Sequence, residues 1–239
     1  MNAMTQILRH EKTSHSVLAW IVTWTASLFF FYEFIQMNLF NTINAQLREA
    51  YHLDAVQIGQ LFSMYFYANF LTLFFAGSLL DRFSPRKLQL FAMSLCTLGT
   101  VVFAMADAYW IAALGRFMIG AGASFCFLSC IRIASRWFAP HHMAFVTGVI
   151  VTMAMLGGLV AQTPFELLIN AVGGWHIALW LNSALGAVII VAIYFFVQDR
   201  PPEGAQEAKQ EAKQLHDLGV MGCVKLAVLN PQNWMGGLY

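Results

Sequence analysis

GSLLDRFSPRK, residues 77–87, packs one acid and three bases into eleven positions between two long apolar runs. Gly77, Asp81 and Arg82 follow a Gly-x-x-x-Asp-Arg spacing, and Arg86 with Lys87 closes the stretch. Each residue type suits a physical task. A glycine lets two helix backbones approach, an acid favours a helix end or a nearby base, and paired bases meet the anionic cytoplasmic leaflet of a membrane. A basic turn alone would explain Arg86 and Lys87 but not the spacing of Gly77, Asp81 and Arg82.

The flanking runs have the length of membrane spans. A spanning helix takes about 20 mostly apolar residues, and that measure predicts six spans, at 17–45, 56–80, 88–106, 109–138, 144–170 and 175–197. Of the 239 residues 59% are hydrophobic and 10% charged, where soluble domains carry about 45–50% and about 25%. The expected fold is therefore all-α, a polytopic membrane protein of six transmembrane helices. The first span, too long for a signal peptide's apolar region and without a small-residue cleavage site, is expected to be retained. A net charge of +1 without a clustered basic face argues against nucleic acid as a partner.

Sidedness follows from the bases, which concentrate in cytoplasmic loops. Arg9, Lys12, Arg82, Arg86, Lys87, Arg132, Arg136, Arg200, Lys209, Lys213 and Lys225 fall on one side of the six spans, and the opposite links hold only Arg48. Both ends of the chain are predicted to be cytoplasmic. Residues 1–16 then form an N-terminal tail, 17–198 the membrane domain, and 199–231 a charged central linker that begins near Pro201 and Pro202. Residues 232–239 read as the start of a seventh helix, cut short.

The stretch at 77–87 resembles the loop motif of the major facilitator superfamily, G-x-L-x-D-R-x-G-R-[KR]-x, with Gly77, Leu79, Asp81, Arg82, Arg86 and Lys87 in register. Ser84 stands where the motif has its second glycine and Pro85 where it has the next base. Arg116 and Gly120 in GRFMIGAGAS match the R-x-x-x-G of that family's fourth span, and Arg136-Trp137-Phe138 is similar to its usual end. The resemblance implies half of a twelve-helix transporter: six helices that pair with a C-terminal six-helix half, or with a second copy of the chain, and rock to expose a central cavity to each face in turn. It also implies that the loop motif is a cytoplasmic gate, with Asp81 as the latch. Among the members of the family, span one, the GSLLDR link and the GRFMIGAG segment resemble the branch of the lysosomal dipeptide uniporters. That branch has an acid after the glycines of span four, where this chain has Ala123 and Ser124. The antiporter signature G-x-x-x-G-P-x-x-G is not matched by Gly157, Gly158 and Pro164; with Gly148 these predict tight packing and a kink in span five.

Ionisable residues inside spans cost about 2.5–3.5 kcal/mol each on insertion scales and so mark function. Glu33, with Tyr32, Gln36 and Asn38, forms a polar stripe on span one. It either lines the substrate cavity or sits protonated or hydrogen-bonded between helices. Arg116 lies at the depth of residues 36–41 and either ties neighbouring helices or attracts an anionic substrate or tunes a proton site. Tyr65 and Asn69, four apart, share a face of span two, whereas Tyr65 and Tyr67 cannot. Glu166 is expected at the headgroup level or the outer vestibule, and His176 is expected to ligate nothing. Cys126 and Cys130 lack the second ligand pair of a metal site, so no metal and no cofactor is expected.

No catalytic set is assembled. A rhomboid-like protease would need G-x-S-G, and Gly122-Ala123-Ser124-Phe125 lacks the last glycine; a haem protein would need intramembrane histidine pairs, and His141 with His142 lies in a loop. The expected function is secondary transport of a small polar solute, with amino acids or dipeptides and proton coupling open. An organic-anion carrier, or a six-span protein that transports nothing, is the alternative. The expected setting is a bacterial inner or plasma membrane, with an organelle membrane open.

Overall fold

A computed structural model describes the backbone of residues 3–199 and the side chains from Val17 onward except that of Asp81. Residues 200–239, with the predicted linker from residue 200 and the predicted seventh span, lie outside the described residues. The described chain is helical throughout, in the order α1 (Ala3–Ala50), α2 (Ala55–Arg82), α3 (Pro85–Ala104), α4 (Tyr109–Ala123), α5 (Cys126–Trp137), α6 (Met143–Val160), α7 (Thr163–Val172) and α8 (Trp175–Phe196). Six segments are long and apolar enough to cross a membrane: Val17–Ala50, Ala55–Leu80, Pro85–Ala104, Tyr109–Trp137, Pro140–Val160 and Trp175–Phe196. That number matches the sequence. The polar N-terminal tail is helical from Ala3, continuous with the first span.

The fourth and fifth spans are each divided into two helices. The fourth divides into α4 and α5 at Ser124-Phe125, where the Phe125 N–H turns back to the Gly122 carbonyl at 3.2 Å and Ser124 Oγ donates to the Ala121 carbonyl at 2.8 Å. Backbone groups at membrane depth must be satisfied within the protein, and a short side-chain hydroxyl does so locally. The fifth, expected over 144–170 with a kink, breaks after Val160, and α7 restarts at Thr163 with Pro164 in its first turn. Proline has no N–H to continue the ladder. Thr42 Oγ1 on α1 donates to the Ala161 carbonyl at 2.7 Å, supplying a partner where the helix stops.

Small residues bring the helices together. A methyl group built on Gly120 would stand 2.0 Å from the Tyr65 carbonyl oxygen, one on Gly157 2.1 Å from that of Phe31, and one on Gly115 2.8 Å from that of Gly99. These three contacts join α4 to α2, α6 to α1 and α4 to α3 at backbone distance, the packing that small side chains allow in membranes. Gly77 and Gly148 behave otherwise. Nothing lies within 4 Å of a methyl group on either, so the close helix approach expected at both is not made within the described residues.

The opening stretch is a helix stop followed by a helix start. Phe83 caps α2 in an extended conformation, Ser84 is the N-cap of α3, accepting from the Lys87 N–H at 3.4 Å, and Pro85 takes the first helical position. Serine at an N-cap followed by proline is a strong start signal. The two departures from the family motif therefore serve the turn. At the opposite end of the bundle Asp54 and Gln57 form a reciprocal capping box on α2, at 2.7 Å and 3.0 Å. Beside it Tyr51 donates to the Ala106 carbonyl at 2.5 Å, and burial pushes its phenol up to about 12, with the Asp107 carboxylate adding to the shift.

Candidate functional site

The buried centre of the bundle holds the ionisable residues. Glu33 on α1 is 6% exposed and accepts a hydrogen bond from the Tyr65 hydroxyl on α2; its second oxygen, Oε2, has no partner among the described residues. Tyr65 is positioned by the contact of its own backbone with Gly120, which pulls α2 against α4. Arg116 on α4 is fully buried. Its Nη1 donates to the Gln36 main-chain carbonyl at 2.9 Å, and its guanidinium carbon lies 4.9 Å from the Phe40 ring centre and 5.0 Å from that of Tyr65. Both rings are within cation–π range, which offsets part of the cost of burying the charge. Nε and Nη2 of Arg116 have no partner among the described residues.

Beside this pair lies a neutral polar layer. Gln36 Nε2 donates to Thr100 Oγ1 at 2.6 Å, and the Tyr32 hydroxyl lies 3.2 Å from the same oxygen. Tyr32, Glu33, Gln36, Tyr65 and Arg116 are thus brought together by α1, α2, α3 and α4, and all are buried inside the six-helix body. Asn38 and Asn69 stand apart. Asn38 is half-buried and donates to the Phe34 carbonyl of its own helix at 2.9 Å, and Asn69 is half-buried on α2. Thr100 was not singled out from the sequence, although its polar side chain, three residues after Thr97 in an apolar span, carries a signal.

The second cluster gathers where α3 begins and α5 and α8 end. Asp199, just past α8, accepts from the Ser84 hydroxyl and from the Arg86 N–H at 2.9 Å, and lies 3.8 Å from the Arg136 guanidinium. Arg86 reaches back to the Tyr194 carbonyl and covers the Tyr194 ring at 5.6 Å, and Trp137 Nε1 donates to the Gln198 carbonyl at 3.0 Å. Of the predicted gate residues Gly77, Arg82, Arg86 and Lys87, only Arg86 enters this clasp through its side chain; Arg82 and Lys87 are exposed. Asp81 lies in the last turn of α2, and its side chain lies outside the described residues. Asp199 went unseen because its partners Ser84, Arg86 and Arg136 are all distant from it in sequence.

Chemically, the first cluster offers a guanidinium with two unpaired nitrogens and a carboxyl with one unpaired oxygen, in surroundings that strengthen electrostatic attraction.

The family model for the Major Facilitator Superfamily matches residues 25–237. The "Probable sulfoacetate transporter SauU" of Cupriavidus necator is 25% identical over 204 residues, covering 85% of this chain and 46% of that protein. A "Hexuronate transporter" of Bacillus subtilis is 26% identical over 156 residues, 65% of this chain and 37% of its own length. The "Lysosomal dipeptide transporter MFSD1" of Danio rerio is 30% identical over 122 residues, 49% of this chain and 26% of its length. The chain thus spans less than half of the curated relatives it matches. Among solved structures, an inward-facing bacterial homolog of the human lysosomal transporter Spinster aligns with a TM-score of 0.65 at 15% identity, over 77% of this chain and 44% of that one. The transporter FucP, in the outward conformation, aligns at 0.63 and 17% identity, over 74% and 42%.

Proposed function

The chain belongs to the Major Facilitator Superfamily, and from that premise we propose that it is the N-terminal half of a secondary carrier that moves a small organic anion by alternating access. Arg116 carries this reading: a buried guanidinium with Nε and Nη2 unpaired is a costly arrangement, and a carboxylate or sulfonate completes it with paired, charge-assisted hydrogen bonds. The printed substrates of two relatives, sulfoacetate and hexuronate, are anions of that kind. Near-equal alignment with an inward-facing and an outward-facing neighbour accords with a half that keeps its shape while rocking against a second six-helix body. That second body is a C-terminal half or another copy of the chain, the bilayer is the setting, and both ends face the cytoplasm.

The test is uptake into proteoliposomes by the full-length protein, with sulfoacetate, a hexuronate and a dipeptide as probes. Arg116→Lys keeps the charge and loses the planar fork; the expected result is anion uptake with KM raised tenfold or more, a loss of about 1.4 kcal/mol. Unchanged anion KM in Arg116→Lys, or uptake of the dipeptide alone, would sink the anion reading. A second reading rests on the unpaired Oε2 of Glu33, which suits the ammonium of an amino acid or dipeptide. In that case Glu33→Gln abolishes dipeptide uptake and leaves the anions untouched.

A further inference from the structure

We propose that Asn182 on α8 and Gln36 on α1 hold a water molecule between them, and that this buried bridge positions the main-chain carbonyl on which Arg116 rests. The positioning part builds on the anion reading above; the water site does not.

Hydrogen positions follow by counting. Thr100 Oγ1 donates to the Cys96 carbonyl at 2.9 Å, so its single hydrogen is committed. Its contacts with Tyr32 Oη at 3.2 Å and Gln36 at 2.6 Å must then run toward it, Tyr32 donating its O–H and Gln36 its N–H. Oε1 therefore points away from Thr100, wholly buried and without a protein partner.

On α8, Asn182 is 4% exposed and its Nδ2 has no partner among the described residues. The helix register brings the two to one level. A methyl group on Gly186 would touch Tyr32 Oη at 2.9 Å and Thr97 Oγ1 at 2.6 Å, so Gly186 lies beside Tyr32. The first and sixth spans are antiparallel. One turn from Tyr32 toward the end of α1 is Gln36, and one turn from Gly186 toward the start of α8 is Asn182. The neighbouring hydroxyls are committed elsewhere, Thr97 to the Met93 carbonyl at 2.9 Å and Ser183 to the Leu179 carbonyl at 3.0 Å.

One layer therefore carries a buried donor and a buried acceptor that no direct hydrogen bond joins. Leaving both unmade is unfavourable. A water accepting from Asn182 Nδ2 and donating to Gln36 Oε1 satisfies both, with the two polar partners a buried water needs. Gln36 is then held from α3 by Thr100 and from α8 by Asn182, and its carbonyl is held in place for Arg116 Nη1 at 2.9 Å. Asn182 is a positioning residue, two contacts removed from the substrate.

Radiolytic hydroxyl-radical labelling of the full transporter in lipid nanodiscs, read by mass spectrometry, tests the water directly. Tyr32 is fully buried, yet an adjacent bound water should make it oxidisable, and Asn182→Leu should remove that labelling. An unlabelled Tyr32 in the unaltered protein overturns the site without any variant. For positioning, Asn182→Asp donates only as the neutral acid, so its KM for a transported anion should rise about fivefold with increasing pH, the factor corresponding to one hydrogen bond of about 1 kcal/mol. A pH profile identical to that of the unaltered protein overturns the positioning role. Labelled Tyr32 in a protein that takes up no anion keeps the water site and removes only the substrate class.

Discussion

Glu33 and Tyr65 meet across the α1–α2 contact, and the meeting depends on a single hydroxyl and a single carboxyl oxygen. Glu33→Gln keeps an oxygen for that hydroxyl and removes the ionisable group. The expected outcome is a thermal stability within about 0.6 kcal/mol of the original, the average worth of an interhelical hydrogen bond in membranes, together with uptake that no longer varies with pH if protons are coupled through this residue. An uptake profile whose pH dependence survives the substitution takes Glu33 out of the coupling. The depth count from the sequence put Arg116 level with residues 36–41, and its hydrogen bond falls on Gln36, at the inner limit of that range. Rise per residue is a property of the helix itself, so depth was legible. That Tyr65 and not Asn69 reaches Glu33 was not, because it depends on how α2 is rotated against α1.

At the scale of elements, the contact of α4 with α2 through Gly120 and that of α6 with α1 through Gly157 leave no room for a side chain. Gly120→Val and Gly157→Val should each lower stability by about 1–3 kcal/mol or more, the range for overpacking, measured by thermal unfolding in detergent. Gly77→Val, which meets nothing within 4 Å, serves as the contrast and should unfold at the original temperature. Asp199 ties the start of α3 to the ends of α5 and α8. Asp199→Asn weakens the charge-assisted bonds and the ion pair, and a loss of about 1–2 kcal/mol is expected given its partial exposure; equal melting temperatures would show the clasp to be incidental. Tyr51 ties the end of α1 to Ala106 by donating its proton. Its raised phenol means that this tie is fully present below about 10, the ordinary tyrosine value, and is lost as pH rises through about 12.

For the whole molecule, the bases set the expected sidedness and the glycines set which helices touch. With Cys96, Cys126 and Cys130 buried, and with Cys223, outside the described residues, replaced by serine, single cysteines introduced in the links report topology. Asp107→Cys should react with a membrane-impermeant maleimide on intact cells, and Ala139→Cys only after permeabilisation. The reverse pattern would invert the assignment of both ends to the cytoplasm. Exposed Gly77 on α2 and Gly148 on α6 leave two helix faces without a close neighbour in this half.

What the sequence by itself determined is the number of spans, their approximate limits and the family. Hydrocarbon admits backbone only as satisfied helices of about 20 residues, and that requirement is local, written in each run of apolar residues. The Ser84-Pro85 start of α3 and the Asp54–Gln57 box of α2 are local as well. The tertiary structure alone decided which polar groups face one another: Tyr65 with Glu33, Arg116 with Gln36, Asp199 with Ser84 and Arg86. Those pairings depend on the rotation and register of helices distant in sequence, and these follow from where a glycine on one helix lets the backbone of another come close.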